Sequence, residues 1–146
     1  MTKEDFCLDK FITHILALMG DLSKNFSRYE IQCSCGCDAK WISPELIEKL
    51  QHVRDIIGKP MTITSGVRCE AFNASINGSL VSSHIPDEDG MGLAVDIACI
   101  NSIDRYELVE VAQKFFRRIG IAGEHSGNFI HLDVDKAKAQ EVLWTY

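Results

Sequence analysis

The chain reads as a single α+β domain, with a mainly antiparallel sheet and flanking helices. Two observations carry that expectation. Segments 3–22 and 43–57 space their apolar residues as amphipathic helices do, whereas 61–65, the run around Asp96 and 128–134 are short and β-prone. The resulting order is helix, helix, strand, helix, strand, helix, strands, which suits an α+β layer arrangement. A length of 146 residues allows one domain with a substantial core and is too short for two comfortable ones.

Taken in order, Phe6, Phe11, Ile15, Leu18 and Met19 predict a helix from Lys3 to about Leu22. Residues 1–25 therefore read as an N-terminal helical extension and 26–146 as the core. Segment 25–40 is polar, cysteine-rich and irregular. Ser43-Pro44-Glu45 then starts a helix, with Ser43 as N-cap and Pro44 at the first helical position. Leu46, Ile47, Leu50, Val53, Ile56 and Ile57 form its expected buried stripe, and Gly58-Lys59-Pro60 stops it. The alternation in 61–65 predicts a strand, a short helix follows over 70–76, and Asn77-Gly78 marks a turn. The acidic stretch 86–90 reads as a solvated turn, having too few ligands at the required spacing for an EF-hand. Asp104 is the expected cap of a helix running to about Arg118, with Leu108, Val109, Ala112, Phe115 and Phe116 facing inward. Strands at 120–122 and 128–134 flank the turn 123–127, and 142–146 adds a last strand.

Composition narrows the function classes. Apolar content of 46% and 25% charged residues are ordinary for a globular domain. A net charge of −6 argues against a dedicated nucleic-acid binder, and the longest apolar runs are too short for membrane insertion. MTKEDFCLDK contains acidic residues and no apolar h-region, so no secretory signal is visible. The expectation is synthesis in the cytoplasm with reduced thiols. Of the six cysteines, Cys7 and Cys99 read as small buried apolar residues. Cys33-Ser-Cys35-Gly-Cys37 is read as a tight cysteine-lined turn, or as a structural metal or disulfide site. Its spacing is not the usual C-x₂-C knuckle, and no paired second knuckle follows.

The chemistry concentrates in three residues. Asp96 sits inside the apolar run AVDIA, His131 interrupts Phe129-Ile130 and Leu132, and His84 follows Ser82-Ser83. A carboxylate in a buried strand is costly unless something pairs with it. Two imidazoles and one carboxylate form a common ligand set for catalytic zinc, leaving a fourth position for water. Arg68 can hold a carboxylate or an oxyanion through two parallel bonds. Asp133 shares a strand face with His131 and could take a proton or orient that ligand from behind. His125, in the glycine-flanked turn, is the other candidate for base or proton shuttle, with Glu124 behind both.

The blocks FSRYEIQCSCGC, ISPELIEKLQHVRDIIGKPMTITSGVRCEAFN, SSH, GLAVDI, FIHLDV and the closing WTY resemble peptidase family M15. This family comprises zinc D-Ala-D-Ala carboxypeptidases and related peptidoglycan endopeptidases, and the likeness is to its short phage-type subgroup, over about 26–146. The resemblance implies a hedgehog/D-Ala-D-Ala peptidase-like fold and one zinc ion per chain, held by His84, Asp96 and His131. It implies that Arg68 supports substrate or oxyanion, and that Ser82 or Ser83 bonds substrate. Peptidoglycan stem peptides are the implied partner, in phage or prophage lysis, with the wall reached through a holin, a virion or other export. The chain departs from the family in three ways. His84 and Asp96 are twelve residues apart, further than in many members, and looping out 86–90 is thermodynamically cheap. Phe129 stands first where some branches carry H-x-H. The glutamate-x-x-histidine block of other branches is missing. Two other readings stand beside the peptidase: a metal-stabilised binding or assembly module on the same scaffold, and a redox or zinc-knuckle protein centred on Cys33, Cys35 and Cys37.

Overall fold

The computed structural model describes residues 20–146. The helix expected over 3–22 and the burial expected of Cys7 lie outside these residues, except that 20–22 is not helical and the chain bends over 21–25. Four helices and five strands follow: α1 (Arg28–Ile31), α2 (Pro44–Ile57), β1 (Ile63–Ser65), α3 (Glu70–Ser75), β2 (Ala94–Ala98), α4 (Ser102–Ala112), β3 (Arg118–Ala122), β4 (Phe129–Asp133) and β5 (Val142–Thr145), with a 3-10 turn at Glu124–Ser126. The sheet order is β1-β2-β4-β3-β5. Three of its pairings are antiparallel, while β3 and β5 run parallel. The domain is thus α+β with a mixed, mostly antiparallel sheet.

Local chemistry explains the element ends. Ser43 Oγ accepts from the Leu46 amide, Pro44 opens α2, and Gly58 ends it in the left-handed region at φ 69°. Leu46, Ile47, Leu50 and Val53 are buried and Ile57 packs against the core, but Ile56 is 54% exposed, off the buried stripe. Two expectations for α4 are corrected. Its cap is Asn101, not Asp104: the Asn101 side chain accepts from the Asp104 amide at 2.8 Å. The helix ends at Ala112, and Arg118 opens β3, where it faces Asp133. Segment 25–40 is not wholly irregular. α1 forms there, with the Ser27 amide donating to Glu30 at 2.7 Å.

The two faces of the sheet divide the labour. Val95, Ile97, Ile119, Ile130 and Leu132 point to one side and join Leu46, Leu50, Val53, Leu108 and Val111 in the core. The period-two alternation sends the residues between them to the other face. There the register lines up Ser65, Asp96, His131, Gly120 and Trp144 as one row across the five strands. The next row carries Ala94, Asp133, Arg118 and Val142. Gly120 is required in the first row, because a Cβ there would lie 2.8 Å from the Trp144 ring.

Candidate metal centre

His131 and Asp96 meet because they are direct cross-strand partners in β4 and β2. His84 comes from the loop before β2, anchored by its carbonyl accepting from the Arg68 amide at 2.9 Å. Three donor atoms converge. His84 Nε2 lies 3.2 Å from Asp96 Oδ1 and 3.2 Å from His131 Nδ1, and His131 Nδ1 lies 2.9 Å from Asp96 Oδ1. All three residues are buried.

The outer atoms of the trio are engaged, and this sets which inner atoms carry lone pairs. His84 Nδ1 sits 2.6 Å from the Gly66 carbonyl, an acceptor only, so the proton is on Nδ1 and Nε2 is bare. His131 Nε2 sits 2.9 Å from Asp133 Oδ2, which likewise draws the proton to Nε2 and leaves Nδ1 to face the site. Asp96 Oδ2 accepts from Arg68 Nη2 at 2.7 Å, leaving Oδ1 inward. Two imidazole lone pairs and a carboxylate oxygen therefore face one another in a buried place, an arrangement that calls for a cation. Zinc bonds of about 2.0–2.1 Å in a tetrahedron give ligand–ligand edges of about 3.3 Å, close to the separations observed. The residues present fit a metal ion.

Ionisation follows the same geometry. Burial disfavours the charged form of His84 and holds its pKa down, against the pull of Asp96. Burial acts the same way on His131, but the Asp133 and Asp96 carboxylates outweigh it and raise its pKa. Burial would raise Asp96, yet the His131 and His84 imidazoles against it prevail and hold its carboxyl well below the usual range. A proton and a metal ion thus compete for His131 Nδ1.

A family model described as Peptidase M15 matches residues 24–133. The chain belongs to the Peptidase M15 family. Comparison with curated proteins gave no match. The matched span contains the trio and its supports, and it ends before β5 with Trp144.

Other residues of this M15 domain fall in different places. Arg68 reaches the trio but is already engaged: Nε donates to Ser65 Oγ at 2.7 Å and Nη2 to Asp96. The two-bond grip on a substrate anion expected from the sequence is therefore spent on the protein, and Nη1 remains. Asp133 is buried with both oxygens occupied, Oδ2 by His131 and Oδ1 by Arg118 Nε at 2.8 Å and the Asp135 amide at 3.0 Å. Burial raises its pKa, but the hydrogen bond with His131 outweighs this and holds it low. Ser83 Oγ donates to Asp135 at 2.9 Å and accepts from Lys138 at 2.8 Å, while Ser82 Oγ accepts from the His84 amide at 3.3 Å. Both serines line a cleft of about 840 Å³ that does not include His84, Asp96 or His131. Glu124 and His125 are exposed in the 3-10 turn and make no hydrogen bond with the trio. The position three before His131 is Asn128, an amide that cannot take a proton, with φ 53°. The acidic loop closes on itself, since Asp87 Oδ1 accepts from the Asp89 and Met91 amides at 3.0 Å each.

Sequence reasoning missed two supports. Arg118 pairs with Asp133 and lies 5.1 Å from the Trp144 ring, and Trp144 sits 5.5 Å from the His131 ring. Only the β3–β4 and β3–β5 registers bring them there. Phe129 and Tyr146, 5.2 Å apart, extend this aromatic edge.

Proposed function

We propose that this M15 domain is a zinc-dependent peptidase that hydrolyses peptide bonds in peptidoglycan stem peptides, as a D,D-carboxypeptidase or endopeptidase, in phage or prophage lysis. The observation that carries the proposal is the inward set of two imidazole lone pairs and one carboxylate oxygen, each backed by a protein partner, in a chain of the M15 family. Zinc held by His84, Asp96 and His131 would polarise a scissile carbonyl and bring the pKa of its water to about 7.

The chain's own residues divide the remaining work. Asp133 is a positioning residue, fixing the His131 ring and tautomer. Arg68 steadies Asp96 and offers Nη1 to a substrate carboxylate or to the developing oxyanion. Because Asp133 is committed on both oxygens, proton transfer is assigned to His125. The edge formed by Phe129, Trp144 and Tyr146 provides apolar surface beside the site for the stem peptide. The protein is made in the cytoplasm and reaches the wall through a holin, a virion or other export.

Two observations favour a second reading, a metal-stabilised binding or assembly module: Asp133 is occupied, and Asn128 stands where other branches have glutamate. The two separate on product analysis. Zinc-loaded protein, incubated with purified sacculi and with stem peptides, is expected to release cleaved peptides or D-alanine identifiable by mass. The His84→Ala protein is expected to release none. Tight metal binding without any cleavage product would favour the module.

A further inference from the structure

A second cluster of metal-binding side chains lies outside the trio. Cys33, Cys35, Cys37 and Cys69 bring their sulfurs within 4.8 Å of one another. Cys33 Sγ is 3.4 Å from Cys35 Sγ and 3.9 Å from Cys69 Sγ, and Cys35 Sγ is 3.6 Å from Cys69 Sγ. These separations are far from the disulfide bond length of about 2.05 Å. They match a zinc–thiolate tetrahedron, whose bonds of about 2.3 Å give edges of about 3.8 Å.

The backbone around the sulfurs is arranged to gather them. The Cys33 amide donates to the Ala39 carbonyl at 2.8 Å, closing the loop, and Gly36 at φ 80° reverses the chain between Cys35 and Cys37. The fourth sulfur arrives from the start of α3. The Cys69 amide donates to Cys33 Sγ at 3.4 Å, and the Phe72 amide donates to Cys69 Sγ at 3.3 Å. Backbone N–H groups thus point at two of the four sulfurs. Cys35 and Cys37 are exposed, so an ion has a way in.

We propose that Cys33, Cys35, Cys37 and Cys69 bind a structural zinc ion, separate from the His84–Asp96–His131 centre and additional to the one ion expected from the sequence. Binding releases the thiol protons to solvent and involves no redox change. Four sulfurs fill the coordination of zinc and leave no position for water, so the site is structural. Its place in the fold gives it a purpose. It ties the 33–39 loop to the segment directly after Arg68. The Val67 amide already donates to the Ile31 carbonyl at 2.7 Å beside it. That same segment supplies the Gly66 carbonyl to His84 and the Arg68 side chain to Asp96. The clamp holds two of the trio's supports in position.

The test uses the full chain, purified with reductant, and does not depend on catalysis. His84→Ala protein, with the trio disabled, is expected to retain one zinc per chain. Its zinc X-ray absorption spectrum should show sulfur ligands alone, at about 2.3 Å. Replacement of that ion by cobalt should give a thiolate-to-metal charge-transfer band. Cys35→Ser/Cys37→Ser is expected to lose this ion and keep one with nitrogen and oxygen ligands. If that double variant fails to fold, the His84→Ala spectrum decides alone. Metal-free His84→Ala protein with titratable thiols, disulfides in its intact mass, or bound iron in place of zinc would overturn the proposal.

Discussion

Replacing Asp133 by Asn tests how the protein prepares His131. The carboxylate uses Oδ1 to accept from Arg118 Nε at 2.8 Å and the Asp135 amide at 3.0 Å, and Oδ2 to accept from His131 Nε2 at 2.9 Å. An Asn side chain has one oxygen, and two donors on the Arg118 side claim it. The amide NH₂ is then left facing His131 Nε2, where it donates. His131 must move its proton to Nδ1, the atom that faces Asp96 and His84. Loss of such an outer partner lowers metal affinity about 10–100-fold, or about 1.4–2.7 kcal/mol. Arg118 keeps an oxygen acceptor, so unfolding free energy should fall by less than the ~3–5 kcal/mol of a broken buried pair. Competition with a zinc chelator measures the affinity, and nitrogen NMR of the imidazole reports the tautomer in the metal-free protein. Asp133→Asn protein with undiminished zinc affinity at the trio and the proton still on Nε2 would refute this reasoning.

Arg68→Ala should keep its fold while kcat/KM on stem peptides falls by about 10²–10³, the loss of one oxyanion donor; an unchanged kcat/KM would remove Arg68 from that role. Asp96→Ala should lose the zinc at the trio, because Asp96 supplies the one inward oxygen, and metal analysis checks this. Gly66→Ala places a Cβ 2.4 Å from the Ile31 carbonyl oxygen. It should cost about 1–3 kcal/mol in chemical denaturation and weaken zinc binding by shifting the carbonyl that holds His84. Leu50→Ala empties a fully buried position in the core, on the face of the sheet away from the trio. It should cost about 2–5 kcal/mol with zinc content unchanged in the folded protein.

What could be read from the residues was local. Ser43-Pro44 and Gly58 bound α2 because their side chains and backbone preferences act within a single turn. A carboxylate within AVDIA and an imidazole within FIHLD stand out because burial demands a partner for each. The missed features depend on closure in space. Cys69 stands 36 residues beyond Cys33, so no short spacing marks it as the fourth member of that cluster. The ion pair of Arg118 with Asp133 follows from strand register, and a helix carried on to Arg118 hid it. The parallel pairing of β5 with β3 brings Trp144 over Gly120 and against His131. Arg68 illustrates a different gap: its type suits an anion, but the fold already places Nη2 on Asp96.

A peptidase activity of this domain depends on a metal ion held by His84, Asp96 and His131. The most direct measurement is zinc per chain, by mass spectrometry of the native protein, for the wild type beside His84→Ala. The variant is expected to hold one zinc ion fewer than the wild type while keeping its fold by circular dichroism. Equal zinc content in the two folded proteins would contradict it.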